Sequence, residues 1–167
     1  MAALPITRAL QTVIWRPLRE GDIAYVTALE AQIHVAPWTA GNFRDALAAG
    51  YSAQVAEREG RIVAFGILML SAGEAQLLNL SVVPDARREG LGGALLRRFL
   101  SDAMRLGALQ VFLEVRVGNT AAIALYEREG FECVARRAGY YPPDLDDVRE
   151  DALVMRRDIG LLWIGGA

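Results

Sequence analysis

Residues 77–93 read LLNLSVVPDARREGLGG, where an apolar run ends at a proline and leads through a basic, glycine-containing turn into a helical pattern. Glycine lets a backbone approach a ligand closely, and arginine supplies cationic hydrogen-bond donors. A helix starting near Leu91 would direct its unpaired N–H groups and positive dipole end at the same point. The stretch therefore predicts a strand–turn–helix unit that binds an anion, and pyrophosphate fits it well. The residues that define this turn are Arg87, Arg88, Gly90, Gly92 and Gly93.

Spacing separates the phosphate-binding signatures that could explain this turn. The dinucleotide fingerprint requires a third glycine where this chain has Leu95. The P-loop requires a lysine and a hydroxyl residue where this chain has Gly93 and Ala94. The remaining pattern, R-x-x-G-x-G over residues 87–92, resembles the coenzyme A loop of the GCN5-related N-acetyltransferases, the GNAT family. A turn that only joins a strand to a helix is the alternative.

The composition limits the classes of function. The 167 residues are 53% hydrophobic and 23% charged, as expected for one compact domain with its own core. Lys and Arg number 18 against 20 Asp and Glu, so the net charge of −2 argues against nucleic acid as a direct partner. One cysteine and one histidine exclude an internal disulfide and leave too few soft ligands for a conventional zinc site. We therefore expect no metal.

The chain has no apolar run approaching the roughly 18 residues of a membrane span, and its N-terminus lacks a sustained apolar signal region. A cytoplasmic protein with no membrane partner is expected. Residues 1–12 are predicted to be an N-terminal extension, 13–158 a single domain, and 159–167 a C-terminal tail. These patterns do not specify an oligomeric state.

Hydrophobic periodicity predicts the element order β-α-α-β-β-β-α-β-α-β. Asp22, Thr39 and Asn119 are the expected N-caps of three helices, and Glu59-Gly60 is an expected hairpin turn. Because strands alternate with helices only in the second half, we predict an α/β (α+β) fold with a mixed, mostly antiparallel sheet flanked by helices. The predicted strands cover residues 13–18, 51–57, 61–70, 74–83, 109–115 and 151–157, and the helices 22–34, 39–48, 92–105 and 119–129.

A longer resemblance covers residues 79–131, which are similar to the core of GNAT acetyltransferases of the RimI type. It rests on LEVR at 113–116, followed by N-x-x-A-I-x-L-Y-E-x-x-G-F at 119–131. Shorter matches are PWT at 37–39, YYP at 140–142 and REDA at 149–152. The resemblance implies the GNAT fold, acetyl-CoA as co-substrate, and transfer of acetyl to the N-terminal alanine of a small-subunit ribosomal protein.

The same resemblance implies roles for individual residues. Glu114 matches the catalytic base and Tyr126 the proton donor to the departing thiolate. Trp38, Tyr140 and Tyr141 are expected to bind the acceptor, with an acidic run at 144–147 suited to a cationic N-terminus. The residues expected to bind acetyl-CoA are Leu80, Ser81, Val82, Arg87, Arg88, Glu89, Gly90, Leu91, Gly92, Gly93 and Asn119.

Acetyl transfer to an amine requires a base and a proton donor, but each of these residues also has a purely structural interpretation. An α-amino group with a pKa of about 8 is mostly protonated at neutral pH, so its attack on a thioester requires a base. Glu114 lies on the opposite face of its strand from a row of aliphatic residues, which suits a catalytic base. A structural salt bridge with Arg116 or Arg136 is the alternative explanation for a carboxylate at this position. Tyr126 could be core packing beside a neighbouring helix residue, and Asn119 only a helix cap.

Other functions stay open at this point. The same fold could acetylate another protein N-terminus, a lysine or a small amine, or could serve as a coenzyme A sensor without catalysis. Cys133 as a nucleophile would need a histidine partner, and nothing in the sequence positions His34 for that role. A buried structural thiol is expected at Cys133 instead.

Overall fold

The structure, a computed structural model, describes residues 12–143 and 145–160. Contacts between Cα atoms group these residues into two units, 12–68 with 79–98 and 69–78 with 99–160. Most of the predicted N-terminal extension, the last seven residues of the predicted tail and position 144 of the acidic run lie outside the described residues. The expectation of a single domain over 13–158 stays a prediction.

The strands follow the order β1-β2-β3-β4-β5-β7-β6. The pair β4–β5 is parallel, whereas β1–β2, β2–β3, β5–β7 and β6–β7 are antiparallel. The predicted mixed, mostly antiparallel sheet is therefore confirmed. In chain order the elements are β1 (Ile14–Pro17), α1 (Ile23–Ile33), α2 (Ala40–Ala48), β2 (Ser52–Arg58), β3 (Arg61–Ser71), β4 (Glu74–Val82), α3 (Leu91–Arg105), β5 (Gln110–Arg116), α4 (Thr120–Arg128), β6 (Glu132–Arg137) and β7 (Ala152–Asp158).

In the first unit, local signals set the boundaries as predicted. Glu59 and Gly60 have φ values of 52° and 75°, the left-handed conformation of a tight hairpin turn between β2 and β3. Thr39 caps α2 by accepting a hydrogen bond of 3.1 Å from the N–H of Asn42. The helix then packs the ring of Phe43 edge-on against Phe65 of β3, with centroids 6.1 Å apart.

Asp22 differs from its predicted role. It precedes α1, but its carboxylate makes no side-chain cap to the helix. Arg16 of β1 binds both carboxylate oxygens at 2.7 and 2.8 Å and thereby lowers the pKa of Asp22. A charged partner from a neighbouring strand has displaced the local capping interaction, and it ties β1 to the start of α1.

In the second unit, β5 alternates as expected. Val111, Leu113 and Val115 are buried, while Glu114 on the other face is partly accessible. The predicted strand begins at Leu109, but this residue precedes β5 and is exposed. Asn119 caps α4 by accepting from the N–H of Ala122 at 3.2 Å, which confirms the predicted cap.

The sequence pattern missed β6. All six of its residues are exposed, and it pairs with β7. A strand at the edge of a sheet does not need the apolar alternation by which a buried strand is recognised. The expectation for Cys133 is wrong for the same reason, because this residue lies on β6 and is exposed.

None of the helices formed by the described residues is both long and apolar enough to cross a membrane.

Candidate active site

The predicted phosphate turn lies in the first unit and leads into α3. The N–H of Ala94 donates to the carbonyl of Gly90 at 3.0 Å, which is the first hydrogen bond of the helix. The N–H groups of Leu91, Gly92 and Gly93 come before that bond and have no acceptor inside the helix. The side chain of Leu91 is buried and fixes the helix start. The local backbone therefore fits the phosphates of a coenzyme A thioester.

The backbone before this helix takes a sharp left-handed course. Arg88 and Gly90 have φ values of 63° and 82°. Glycine adopts this conformation readily, whereas at Arg88 it costs free energy and must be held by the surrounding turn. The Nε–H of Arg87 donates to the carbonyl of Val82 at 3.3 Å, which attaches the turn to the end of β4.

The side chain of Glu89, another residue of the predicted turn, forms an ion pair. Its carboxylate lies 2.7 Å from a guanidinium nitrogen of Arg58 on β2. This ion pair offsets the negative charge of Glu89 beside the predicted phosphate turn.

The strand that precedes the turn carries the predicted pantetheine-binding residues. Its pairing with β5 ends at Leu77↔Leu113, whereas β4 itself continues to Val82. Leu80 and Val82 are half-buried, and Ser81 between them is buried. Main-chain groups of an extended strand are the partners that a thioester's amide-containing arm would use.

Glu114, in the second unit, has more polar neighbours than its apolar strand predicts. The side chain is 16% exposed, and Arg137 Nη2 lies 3.4 Å from its Oε1. The hydrogen bond between Glu114 and the Tyr140 hydroxyl raises the pKa of that phenol. The predicted alternative of a salt bridge was correct in kind but named the wrong arginines. Arg116 pairs instead with Glu150, and Arg136 with Asp151.

The two predicted acceptor-binding tyrosines are packed together beside β5. The rings of Tyr140 and Tyr141 are 5.1 Å apart at 86°, and the Arg116 guanidinium lies 4.0 Å from the Tyr141 ring centroid. Glu150 fixes this arrangement, because it pairs with Arg116 and its backbone carbonyl accepts from the N–H of Tyr141 at 3.1 Å. The second unit thus brings Glu114, Tyr140 and Tyr141 together.

Arg137 and Glu150 are parts of this cluster that sequence reasoning missed. Glu150 had a sequence signal, since it lies in the REDA match, but Arg137 had none because β6 itself was not recognised.

Tyr126 occupies the buried face of α4. It is 8% exposed, and its ring lies 5.9 Å from that of Phe131 at 61°. Burial raises the pKa of its phenol well above the usual value. Tyr126 therefore combines core packing with a phenol that keeps its proton at neutral pH.

A cavity of about 200 Å³ opens on the Glu114 face of the second unit. Glu114 and Arg137 line one part of it, with Phe112, Gln76 and Val154 among the other wall residues. A carboxylate bordering such a space can accept a proton from a group bound there.

Trp38 lies in the first unit, just before α2. Its ring packs against Phe43 with centroids 5.2 Å apart. Its backbone N–H donates to the Glu30 carboxylate at 3.3 Å. The residue that the sequence assigns to acceptor binding is therefore held by both its ring and its main chain.

Across residues 12–143 and 145–160, no group of three or more His, Cys, Asp and Glu side chains is placed to hold a metal ion.

Comparison with known proteins identifies the family. The sequence profile of the acetyltransferase (GNAT) family matches residues 17–131. The chain belongs to the GNAT family and is an acetyl-CoA-dependent N-acetyltransferase. Among its relatives is the [ribosomal protein bS18]-alanine N-acetyltransferase of Escherichia coli strain K12. That enzyme is 36% identical over 144 residues, which cover 86% of this chain and 96% of the relative.

Solved structures agree with the predicted GNAT fold. The ribosomal-protein-S18-alanine N-acetyltransferase from Escherichia coli superposes with a TM-score of 0.83 at 34% identity, covering 93% of this chain and 99% of that one. Ard1 from Thermoplasma volcanium gives a TM-score of 0.81 at 29% identity, covering 89% and 98%.

Proposed function

We propose that this protein transfers acetyl from acetyl-CoA to the N-terminal alanine of ribosomal protein bS18 in the cytoplasm. The similarity to the Escherichia coli alanine N-acetyltransferase, which extends over 96% of that enzyme's length, supports this acceptor. The observation that carries the chemistry is the position of Glu114, whose carboxylate borders the cavity on its face of the sheet and is hydrogen-bonded by Tyr140.

The proposed reaction is a direct transfer without an acyl-enzyme. Glu114 takes a proton from the α-ammonium group of the acceptor through a water molecule, leaving a neutral amine. The amine nitrogen attacks the acetyl carbonyl, the new C–N bond forms and the C–S bond breaks. The thiolate of coenzyme A takes the phenolic proton of Tyr126, and the proton that the acylated nitrogen gives up restores the neutral phenol. Burial raises the pKa of Tyr126, so a tyrosinate cannot persist there and the proton must be replaced as it leaves.

Acetyl-CoA would be bound mainly through main-chain groups. We assign the pyrophosphate to residues 87–93 and the pantetheine arm to the backbone of Leu80, Ser81 and Val82. The first-turn N–H groups of α3 and the left-handed backbone at Gly90 favour this assignment. The side-chain amide of Asn119, besides capping α4, is assigned to the same co-substrate.

The acceptor would be bound by aromatic and acidic groups. Trp38, Tyr140 and Tyr141 offer rigid aromatic surfaces, and Asp146 and Asp147 add negative charge suited to a cationic peptide N-terminus. The rings of Trp38, Tyr140 and Tyr141 are each held by side chains of their own unit.

A peptide screen tests the acceptor. Peptides that differ only in their first residue, together with an internal-lysine peptide and simple amines, would be incubated with labelled acetyl-CoA. We expect the alanine peptide to have the highest kcat/KM, with modification at the α-amine as located by mass spectrometry. Preferential acetylation of lysine or of another N-terminal residue would reject the proposed acceptor. Tight binding of acetyl-CoA with no turnover of any amine would favour a sensor.

Gly90→Ala is expected to weaken acetyl-CoA binding about tenfold or more. A Cβ at a φ of 82° strains the turn and moves the N–H groups that face the pyrophosphate. Gly60→Ala is the matched control, because Gly60 has a φ of 75° in the β2–β3 hairpin with open space around it. Calorimetry should find a weakened affinity in the first variant and an unchanged one in the second, at similar losses of stability. Equal affinities in both variants would contradict the assignment of the turn.

A further inference from the structure

Glu30 is a buried carboxylate that the proposed reaction does not use. It lies on α1 and is 1% exposed. Removing a carboxylate from water is costly unless hydrogen bonds or a cation compensate it. Core packing alone could be provided by an apolar residue of similar size. The presence of a carboxylate at position 30 therefore suggests a role other than packing.

Polar groups from two separate segments converge on this carboxylate. Oε1 accepts from the side-chain amide of Asn79 at 3.0 Å and from the backbone N–H of Trp38 at 3.3 Å. Oε2 lies 3.4 Å from the hydroxyl of Ser81, which is also 2.8 Å from Nε2 of His34. His34 Nε2 itself is 3.8 Å from Oε2.

The two segments are those that carry proposed substrate-binding residues. Asn79 and Ser81 alternate along β4 on either side of Leu80, so their side chains anchor the strand assigned to the pantetheine arm. Trp38 leads into α2 and is assigned to the acceptor. A single carboxylate therefore fixes both segments relative to α1, and all of these contacts lie within the first unit.

We propose that Glu30 is a positioning residue that sets both the Trp38 segment and the Asn79–Ser81 part of β4 for the transfer. This inference rests on the proposed substrate roles of Trp38 and of residues 80–82. Errors of about 1 Å in the placement of reacting groups lower the rate by large factors. Because Glu30 holds both segments, a change at this one residue can affect the binding of both substrates.

Glu30→Met removes both acceptor oxygens while keeping an unbranched side chain of similar length. We expect the KM for the alanine peptide and the Kd for acetyl-CoA each to rise about tenfold, and Glu30→Gln, which keeps one acceptor, to fall between Met and wild type. Val26→Ala is the control, because Val26 is 0% exposed one turn earlier on the same face of α1 and its truncation destabilises the protein without removing a hydrogen bond to Glu30.

Coupling to Trp38 separates positioning from simple stability. If Glu30 acts on the acceptor through Trp38, adding Glu30→Met to Trp38→Ala should not raise the peptide KM further. A peptide KM and an acetyl-CoA Kd within twofold of wild type in Glu30→Met, with a fall in Tm like that of Val26→Ala, would overturn the proposal. Additive effects in the double variant would overturn its acceptor half.

One further variant and one further measurement keep the proposal testable if Glu30→Met fails to fold or the proposed acceptor is wrong. If Glu30→Met does not fold, Ser81→Ala removes the hydroxyl that contacts Oε2 of Glu30, Nε2 of His34 and Oδ1 of Asn79, and an unchanged acetyl-CoA Kd would then overturn the strand half. Calorimetry with acetyl-CoA uses no acceptor. A wild-type protein that binds acetyl-CoA without acetylating the alanine peptide would therefore reject the proposed function while leaving the effect of Glu30 on the co-substrate measurable.

Discussion

Glu114→Gln is expected to lower kcat/KM for an alanine peptide by about 10²–10⁴-fold near neutral pH, the usual contribution of a general base. Glutamine keeps the size of the side chain and can still hydrogen-bond to Tyr140, but it cannot take the proton of the ammonium group. Affinity for acetyl-CoA should stay unchanged, since Glu114 is not among the groups assigned to its binding. The loss should therefore appear in steady-state turnover and not in calorimetry with the co-substrate.

The pH dependence of this variant gives a second readout. The fraction of neutral amine rises with pH and approaches one above a pH of about 8–9, where a base is no longer needed. The deficit of Glu114→Gln should therefore shrink as the pH is raised from 6.5 to about 9.

Glu132→Gln is the matched control, because Glu132 lies exposed at the start of β6 in the same unit. It should resemble wild type at every pH. Wild-type turnover by Glu114→Gln at neutral pH would remove Glu114 from the mechanism.

The parts of the fold that sequence predicts well are those fixed by local chemistry. The left-handed turn before α3, the Thr39 cap and the Asn119 cap each depend on a glycine or a short polar side chain within a few residues. The buried face of β5 follows from alternation alone. For these elements, neighbours in sequence are also the partners in the structure.

The features that the sequence predicted wrongly depend on partners in other elements of the fold. Asp22 was expected to cap its own helix, but Arg16 of β1 binds it. β6 gains its position from pairing with β7, so its exposed and charged residues carry no periodic signal. A partner on another element overrides the local preference in both cases, and the local sequence pattern does not reveal that partner.

The candidate site also contains residues that the local sequence identifies and residues that only the fold brings together. Glu114, Tyr126 and the glycine turn are recognisable from motifs, because their residue types and spacing are specific. The partners that set their environment, such as Arg137 beside Glu114 and Ser81 beside Glu30, come from segments 23 and 51 residues away along the chain. A motif thus identifies the proposed reacting groups more readily than the groups beside them.

Tyr126→Phe is expected to lower kcat by about 10²-fold with little change in the KM for either substrate. Phenylalanine keeps the ring that packs against Phe131, so the loss is confined to the proton that the leaving thiolate would take. The free energy of unfolding should change by about 1 kcal/mol or less, because one hydroxyl is removed and no cavity is made.

The raised pKa of Tyr126 also fixes the sign of a pH effect. A phenol whose pKa lies above its usual value of about 10 stays protonated throughout the range from pH 6 to 9. Tyr126 should therefore contribute no alkaline loss of kcat in that range, and the ratio of wild-type to variant kcat should stay constant across it.

Tyr25→Phe serves as the control, since Tyr25 is 47% exposed on α1 and its hydroxyl can be lost without disturbing the core. Rapid-quench and steady-state kinetics with the same alanine peptide would compare the three proteins. A kcat equal to wild type in Tyr126→Phe would show that water or another group protonates the thiolate. A ratio that falls steeply between pH 7 and 9 would mean that the phenol loses its proton in that range, contrary to the effect of its burial.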